Sequence, residues 1–384
     1  MLTALGSLLK LEGGKLSVIN GGIECLGDVQ MTSGSIGRIT CYGTFTMSGG
    51  HVDSCNINGT GTITGGSFGD TNIGDPLRNY GATLRVEGTE SNPITITSNQ
   101  WGFYSDKNTS SYLKNVQINA QYEDIYTHGN LEVYGLEIEG ACVVGGQVKF
   151  ENCKITDHHN GNDAAFTNIS NLTLKNCTIE SEGLAFSNFT QGKTVIENST
   201  ITGGTCGIMN YGELEFKSGT ANGIKIDVTS KTTISGGTIS SDKMNCGIVC
   251  ESVSMQPTQL IISGGTIDGQ EYGIFGYSLD LQISGGTITG DINGIYAEGV
   301  GTLKVSGGTI KGNVALFVQK TMETSLSGGV FENGIILASS SGYELLEKET
   351  DLSTLLADGY KYQTADFFDV YGCAIYGAVS VVAQ

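Results

Sequence analysis

The chain has 384 residues, of which 58 are glycine and only 3 are proline, and its formal net charge is −19 at pH 7. A charged fraction of 15% and a hydrophobic fraction of 39% exclude a collagen-like chain and a highly charged disordered one. The negative charge disfavours nucleic acid as a partner, because a phosphate backbone is bound through cationic side chains, and no apolar run is long enough to predict a membrane span.

Glycines occur along most of the chain, which argues against separate globular domains and favours internal repeats. Residues 1–10 contain a short apolar run but neither a basic segment before it nor a small-residue cleavage site after it, so they do not resemble a signal peptide. Alternating segments follow. We call the inward-facing residue just after the bend of each coil its anchor, and in this region the anchors are assigned to Ile23, Val52 and Phe68. The 16 residues between Val52 and Phe68 predict short or irregular coils.

The clearest repeat is Ser-Gly-Gly-Thr-Ile, which starts at residues 235, 263, 284 and 306, and Ser-Gly-Gly-Val-Phe follows at residue 327. The intervals are 28, 21, 22 and 21 residues, a period that indicates one structural unit per repeat. The anchor is the last residue of each unit. The same frame gives earlier anchors at Ile118, Ile138, Ile155, Ile179, Ile201 and Ala221.

Three short strands are predicted in each coil. Large apolar residues stand five and usually seven positions before the anchor, and such alternation indicates a half-buried strand. Asn or Gly stands three positions before nearly every anchor, which predicts a bend because these residues accept a positive φ. A third strand is predicted around an inward residue seven positions after the anchor, at Ile125, Phe186, Ile208, Ile274, Ile295 and Phe317. Ile283, Val305 and Leu326 are expected to stack in one interior column.

Two motifs carry a resemblance to a known family. Residues 88–98, Gly-Thr-Glu-Ser-Asn-Pro-Ile-Thr-Ile-Thr-Ser, followed by Trp101-Gly102, resemble the opening coil of pectate-lyase-like right-handed β-helix repeat proteins. The Ser-Gly-Gly-Thr-Ile coils resemble those of secreted and surface-displayed bacterial members. The resemblance covers about residues 85–340 and implies an all-β, right-handed parallel β-helix with three-strand coils of about 21 residues. It implies little about activity, because one fold hosts many functions.

Enzymes of this family act on anionic sugars with paired carboxylates, calcium and a basic residue. The three arginines of the chain, Arg38, Arg78 and Arg85, all come early, and no lysine stands beside clustered carboxylates. The resemblance therefore does not carry a catalytic set onto this sequence.

The best catalytic candidates in the sequence are Asp157, His158, His159 and Asp163, in an enlarged bend. Such a loop could bind a metal or supply an acid and a base. The alternative is a polar bulge in a coil that extends to 24 residues between Ile155 and Ile179.

A row of outward-facing apolar residues is predicted one position after the inward residues of the third strands. It contains Tyr126, Met209, Val249, Phe275, Tyr296 and Val318. Such a row could stack on sugar rings or meet a protein, or it could be covered by loops. We select Tyr126, Phe275 and Tyr296 as ligand-binding candidates.

Ten cysteines occur without a CxxC pair, which favours free, packed thiols over a disulfide framework and disfavours structural zinc. No metal ligand set and no cofactor are predicted, beyond weak surface binding of calcium by acidic groups.

The repeat ends after Phe331. Residues 350–360 read as a short helix with a polar start and a glycine stop, and with a final strand at residues 379–382 they predict a C-terminal cap. The predicted organisation is irregular coils at 1–84, regular β-helix at 85–340 and the cap at 341–384.

The sequence favours a non-enzymatic, extracellular or cell-surface module of adhesin or carbohydrate-binding type, acting as a monomer. The expected partners are a polysaccharide or a host or cell-surface protein, with no nucleic acid and no membrane span. The alternative is a polysaccharide-degrading lyase or glycoside hydrolase on the same fold.

Overall fold

The computed structural model describes residues 2–3, 6–16, 22–157, 163–227, 229–251, 256–338, 352–364, 374–375 and 377–384. The chain divides into two compact units, residues 1–182 and 183–384. Each unit is a right-handed parallel β-helix in which every coil contributes strands to three sheets, A, B and C in chain order. The predicted fold class is confirmed, and coils of about 21 residues predominate.

In unit 1 the strands alternate inward apolar and outward polar residues, which is why they form half-buried sheets. Sheet A contains Leu8–Leu16, Asp28–Cys41, Thr44–Met47, Thr60–Ile63, Thr83–Glu87, Ser110–Lys114, Asn130–Tyr134, Gln147–Glu151 and Asn171–Lys175. Sheet B contains His51–Ile57, Ser67–Phe68, Ile94–Ser98, Val116–Ala120, Glu137–Ile138, Lys154–Asp157 and Thr178–Ser181. Sheet C contains Leu2–Thr3, Ile23–Cys25, Leu77–Asn79, Phe103–Ser105, Glu123–Thr127, Ala141–Val144 and Ala164–Asn168. The strand Asp28–Cys41 continues through all three sheets, and His51–Ile57 continues from B into C.

Unit 2 repeats the same order. Sheet A contains Lys193–Glu197, Glu213–Phe216, Lys231–Ile234, Thr258–Ile262, Leu279–Ile283, Gly301–Val305 and Met322–Leu326. Sheet B contains Ser199–Gly203, Gly219–Ala221, Thr238–Ser241, Thr266–Gly269, Thr287–Gly290, Thr309–Lys311 and Val330–Glu332. Sheet C contains Leu184–Asn188, Cys206–Asn210, Ile224–Ile226, Cys246–Glu251, Tyr272–Tyr277, Asn293–Glu298, Val314–Gln319 and Ile335–Ala338.

The predicted interior columns are confirmed. Ile283 pairs with Val305, and Val305 pairs with Leu326, and all three side chains are buried. The anchors pair in register from Ile118 to Ile179 and from Ile201 to Phe331. Each column stacks one apolar side chain on the next, so a coil buries its inward residues only against its neighbours.

The bends between sheets A and B follow the Asn or Gly position. Asn115, Asn152, Asn176 and Asn198 have φ between 48° and 56°, the left-handed conformation that Asn tolerates. In the Ser-Gly-Gly coils the positive φ lies one residue later, for example at Gly286 (92°). A Cβ on Gly286 would lie 2.9 Å from the carbonyl oxygen of Gly265, so the second glycine of the motif is required by both conformation and space.

Two details of the predicted frame are wrong. Ile23 is not an anchor, because it pairs with Ile39 in sheet C, while Leu16 pairs with the anchor Ile36. The coils there are as short as 16 residues, which a 21-residue frame cannot fit.

The second error concerns the coil after Ile310. Leu316 pairs with Ile295, and Phe317 pairs with Tyr296, so Phe317 faces outward and Val318 inward. The bend after Ile310 is one residue shorter than its predecessor, and a slip of one residue moves every side chain of a strand to the opposite face.

At the C-terminus the described part of the predicted helix contains one 3-10 turn, Leu352–Leu355. Strands Tyr360–Thr364 and Val379–Ala383 pair antiparallel, and Val379–Ala383 also pairs antiparallel with the last strand of sheet B. Strand Ala374–Ile375 pairs in the same sense with the last strand of sheet C. Parallel stacking therefore ends in a small antiparallel layer. The predicted domain boundaries stay a prediction.

A buried amide ladder stabilises the turn after sheet C in unit 2. The Nδ2 group of Asn188 donates to Oδ1 of Asn210 at 2.8 Å, and Nδ2 of Asn210 donates to Oγ1 of Thr232 at 2.9 Å. Oδ1 of Asn210 accepts from the Gly212 N–H at 3.1 Å. Both asparagines are fully buried, so these bonds satisfy side-chain and backbone polar groups that bulk water cannot reach.

Candidate functional site

An aromatic cluster lies on the outer face of sheet C in unit 1. The rings of Trp101 and Tyr126 stack with centroids 4.7 Å apart and planes at 8°. Tyr104 lies nearly parallel to both, 5.9 Å from Trp101 and 6.0 Å from Tyr126. Tyr80 extends the cluster at 5.5 Å from Tyr104, and His128 meets the edge of Tyr126 at 5.2 Å. We call these five side chains the aromatic platform.

The strand register explains the platform. Tyr104 and Tyr126 pair on neighbouring strands, and each directly follows an inward residue, so both point outward. Trp101 stands in the bend before strand Phe103–Ser105, and its backbone N–H donates to Oδ1 of Asp75 at 3.2 Å. Asp75 also forms an ion pair with Arg78, which precedes Tyr104 in the outward column. The backbone and a buried carboxylate therefore position the indole.

The platform is accessible and chemically mixed. Tyr80 is 41% exposed, and the other four side chains are half-buried. Burial and the neighbouring Asp106 carboxylate raise the pKa of Tyr104, so its hydroxyl stays protonated and can donate a hydrogen bond. The surface thus offers apolar ring area with polar groups at its rim.

The two other ligand-binding candidates lie in a different aromatic stack. Phe275 and Tyr296 stack with centroids 5.2 Å apart and planes at 6°, and Tyr296 stacks on Phe317 at 4.7 Å. Phe275 is half-buried, but Tyr296 is only 5% exposed, so its ring is covered and is not open to a ligand. Its faces are covered by Phe275 and Phe317, and Tyr272 packs at its edge. Val249 of the same predicted row is also buried.

Replacing Tyr296 with serine is expected to lower the free energy of unfolding by about 2 kcal/mol, because it opens a cavity between two stacked rings. Urea denaturation measures the loss. The control is Tyr277→Ser on the neighbouring strand, since Tyr277 is 44% exposed. Equal losses for the two variants would contradict a packing role for Tyr296.

Of the four catalytic candidates in the predicted enlarged bend, only Asp157 and Asp163 are among the described residues. Asp157 is only 4% exposed at the end of a sheet B strand, whereas Asp163 is exposed. His158 and His159 lie outside the described residues. The candidate role of these four residues stays a prediction.

A second carboxylate, which the sequence reading missed, lies in the same corner of unit 1. Asp124 is fully buried, and its Oδ1 accepts from the Ala120 N–H at 2.7 Å. Its Oδ2 has no hydrogen-bond partner among the described residues. Burial raises the pKa of Asp124 to about 7, and the negative charges of Glu139 and Asp157 act in the same direction.

Metal-binding side chains are not gathered in the described part of the chain: no group of three or more His, Cys, Asp or Glu residues could hold an ion there. Nine cysteines are buried thiols. Burial raises the pKa of Cys142 and Cys250, for example, which makes these thiols poor nucleophiles at neutral pH.

A shallow groove of about 560 Å³ crosses the outer face of sheet A in unit 1. Its lining includes Thr60, Thr83, Ser110, Arg85, Tyr112 and Glu132. The Arg85 guanidinium lies 3.9 Å from the Tyr112 ring centroid and pairs with Glu87. The groove therefore combines a cation, a carboxylate and a row of small hydroxyl groups.

Comparison with known proteins supports the fold alone. Residues 114–288 match a family model described as the right-handed beta helix region. No curated protein and no solved structure matches the chain. Within the part of the chain that the structure describes, no helix has the length and apolar character that crossing a membrane requires.

Proposed function

We propose that the chain is a non-enzymatic carbohydrate-binding module of adhesin type and that the aromatic platform is its contact surface. The observation that carries the proposal is the stacking of Trp101 on Tyr126 beside Tyr104 on an open sheet face. Aromatic rings supply large apolar contact area with little loss of conformational entropy, and their polar tips bond to hydroxyl groups.

The negative charge of the protein favours neutral over anionic polysaccharides as ligands. A net charge of −19 repels anionic polymers, and near the platform Arg78 is already paired with Asp75. A neutral polysaccharide, or neutral glycans on a host or cell-surface protein, fits this surface better than a polyuronate.

The pectate-lyase-like subtype, the extracellular or cell-surface location and the monomeric state belong to the same proposal. The motifs at residues 88–102 and the Ser-Gly-Gly-Thr-Ile coils support the subtype and the location. No resident cofactor is needed, and calcium would bind only weakly through exposed carboxylates.

Replacing Trp101 or Tyr126 with alanine is expected to weaken polysaccharide binding about tenfold, because each change removes a ring from the contact surface. The measurement is retardation in gels that contain xyloglucan, laminarin or polygalacturonate. Tyr42→Ala is the matched control, since Tyr42 is 48% exposed and lies outside the platform. An unchanged affinity in the Trp101 variant, or an equal loss in the control, would contradict the proposal.

The second candidate is a polysaccharide-degrading enzyme, which the groove on sheet A favours because it holds Arg85 and Glu132 together. The same polysaccharides are incubated with the protein and assayed for reducing or unsaturated ends. Product release that is lost in Glu132→Gln and kept in Trp101→Ala would establish this candidate instead.

A further inference from the structure

Asp124 breaks a pattern that the other coils keep. The residue directly before the paired inward residue of sheet C is small in every described coil from Phe103 onward except one. These residues are Gly102, Ala141, Ala165, Ala185, Gly207, Gly223, Gly247, Gly273, Gly294, Ala315 and Gly334. The exception is Asp124, before Ile125.

These positions hold small residues because a larger side chain would clash with the neighbouring coil. A Cβ on Gly273 would lie 2.6 Å from the Gly294 carbonyl oxygen, and a Cβ on Gly294 would lie 2.6 Å from Cγ2 of Ile310. The carboxyl group of Asp124 fits only because its strand shifts register between Glu123 and Ile125 and because the neighbouring coil has glycine at position 140. A charged group in this position therefore costs both packing and solvation.

The backbone around Asp124 supports the platform directly. The N–H of Gly102, the residue after Trp101, donates to the carbonyl oxygen of Glu123 at 3.0 Å. Tyr126 lies two residues after Asp124 on the same five-residue strand, with its ring on the outer face. A movement of Asp124 thus acts on both stacked rings.

We propose that Asp124 is a proton-controlled support of the aromatic platform: the protonated side chain holds the strand Glu123–Thr127 in place, and its ionisation loosens the packing of Trp101 on Tyr126. Burial supplies the driving force, because the side chain is fully buried and its Oδ2 has no hydrogen-bond partner of normal geometry among the described residues. The effect on glycan binding rests on the proposed function, whereas the movement of the rings does not.

Burial is the largest effect on the pKa of Asp124 and favours retention of the proton, whereas the backbone N–H groups of Ala120 and Glu139 favour the carboxylate. Glu139 and Asp157 add negative potential from the two following coils, and the Cys142 thiol between them is held uncharged by burial. The preceding coil presents the backbone of Gly102. A rise in pH through neutrality is therefore the signal that would ionise Asp124.

Trp101 is the single tryptophan of the chain, so its fluorescence tests the proposal without a ligand. From about pH 5 to about pH 9 we expect a red shift of the emission and an about twofold rise in acrylamide quenching, with a midpoint near pH 7. Asp124→Asn and Asp124→Ala should abolish the transition, and alanine is the residue that equivalent positions already hold.

His128 needs its own control, because its imidazole meets the edge of the Tyr126 ring in the platform. The variant His128→Gln should keep the transition. A flat titration of the unmodified protein, a transition that survives in both Asp124 variants, or its loss in His128→Gln would overturn the proposal. If none of the polysaccharides binds, the proposed function is wrong. The pH titration of Trp101 fluorescence still tests the role of Asp124 separately.

Discussion

Asn210→Ala is expected to lower the free energy of unfolding by about 4 kcal/mol, since it removes one side chain from several buried polar groups at once. The Asn188 amide, the Thr232 hydroxyl and the Gly212 N–H all lose a partner in a region without access to water. The alanine side chain has no donor or acceptor, so it cannot form any of these hydrogen bonds. Urea denaturation followed by circular dichroism measures the difference.

The control is Asn198→Gly, an exposed asparagine of the same unit with φ of 48°. Glycine accepts this conformation and keeps the bond from the residue-198 backbone N–H to Oγ of Ser218. The one lost bond, from the Ser218 hydroxyl to Oδ1 of Asn198, is exposed, so the change should stay within about 0.5 kcal/mol of zero. A loss in Asn210→Ala as small as that of the control would show that water or a shifted backbone replaces the ladder.

The second large effect is a dependence of stability on pH that Asp124 causes. Its pKa is raised in the folded state from 3.8 to about 7, so its contribution to stability is complete below pH 3.8 and is lost as the pH rises through about 7. The rise corresponds to about 4 kcal/mol, at about 1.4 kcal/mol for each pH unit. Asp124→Asn should therefore be more stable than the unmodified protein at pH 8, and the two should converge toward pH 4.

The difference in stability between the unmodified protein and Asp124→Asn reports on Asp124 alone, because the other carboxylates are the same in both. Glu87 and Glu151, for example, have lowered pKa values through hydrogen bonds to Arg85 and Lys149, and their contribution runs in the opposite direction in both proteins. Melting temperatures at several pH values give the comparison. A constant gap between the two melting curves would contradict a buried, titrating Asp124.

The columns of the interior were predictable because burial repeats with the coil. Ile283, Val305 and Leu326 are equivalent in sequence and in space, because each stands five residues before an anchor. Where a bend is one residue shorter, as before Phe317, counting along the chain selects the wrong face. At Ile23 the coil itself is shorter, so no fixed period could identify the anchor.

The candidate site was predictable only in part. Outward alternation selected Tyr126, which is half-buried on the outer face. It also selected the buried Tyr296, because alternation does not indicate what covers an outward ring. In the sequence, Trp101 is notable only as part of the family motif that ends at Gly102. Its position one coil before Tyr126 is the signal from which a contact between the two rings could be predicted. The small residues before the other inward positions of sheet C are the signal that could identify Asp124 as an exception.

The in-register pairing of the Ser-Gly-Gly-Thr-Ile coils has a consequence for how the gene can change. The coil at 284–305 offers the same apolar residues and bends to the coil before it as to the coil after it. Recombination between the repeats could delete or duplicate such a coil and leave both new junctions with native contacts. Length can therefore vary among descendants in whole-coil steps, while a loss of half a coil would place polar side chains in the interior and be eliminated by selection.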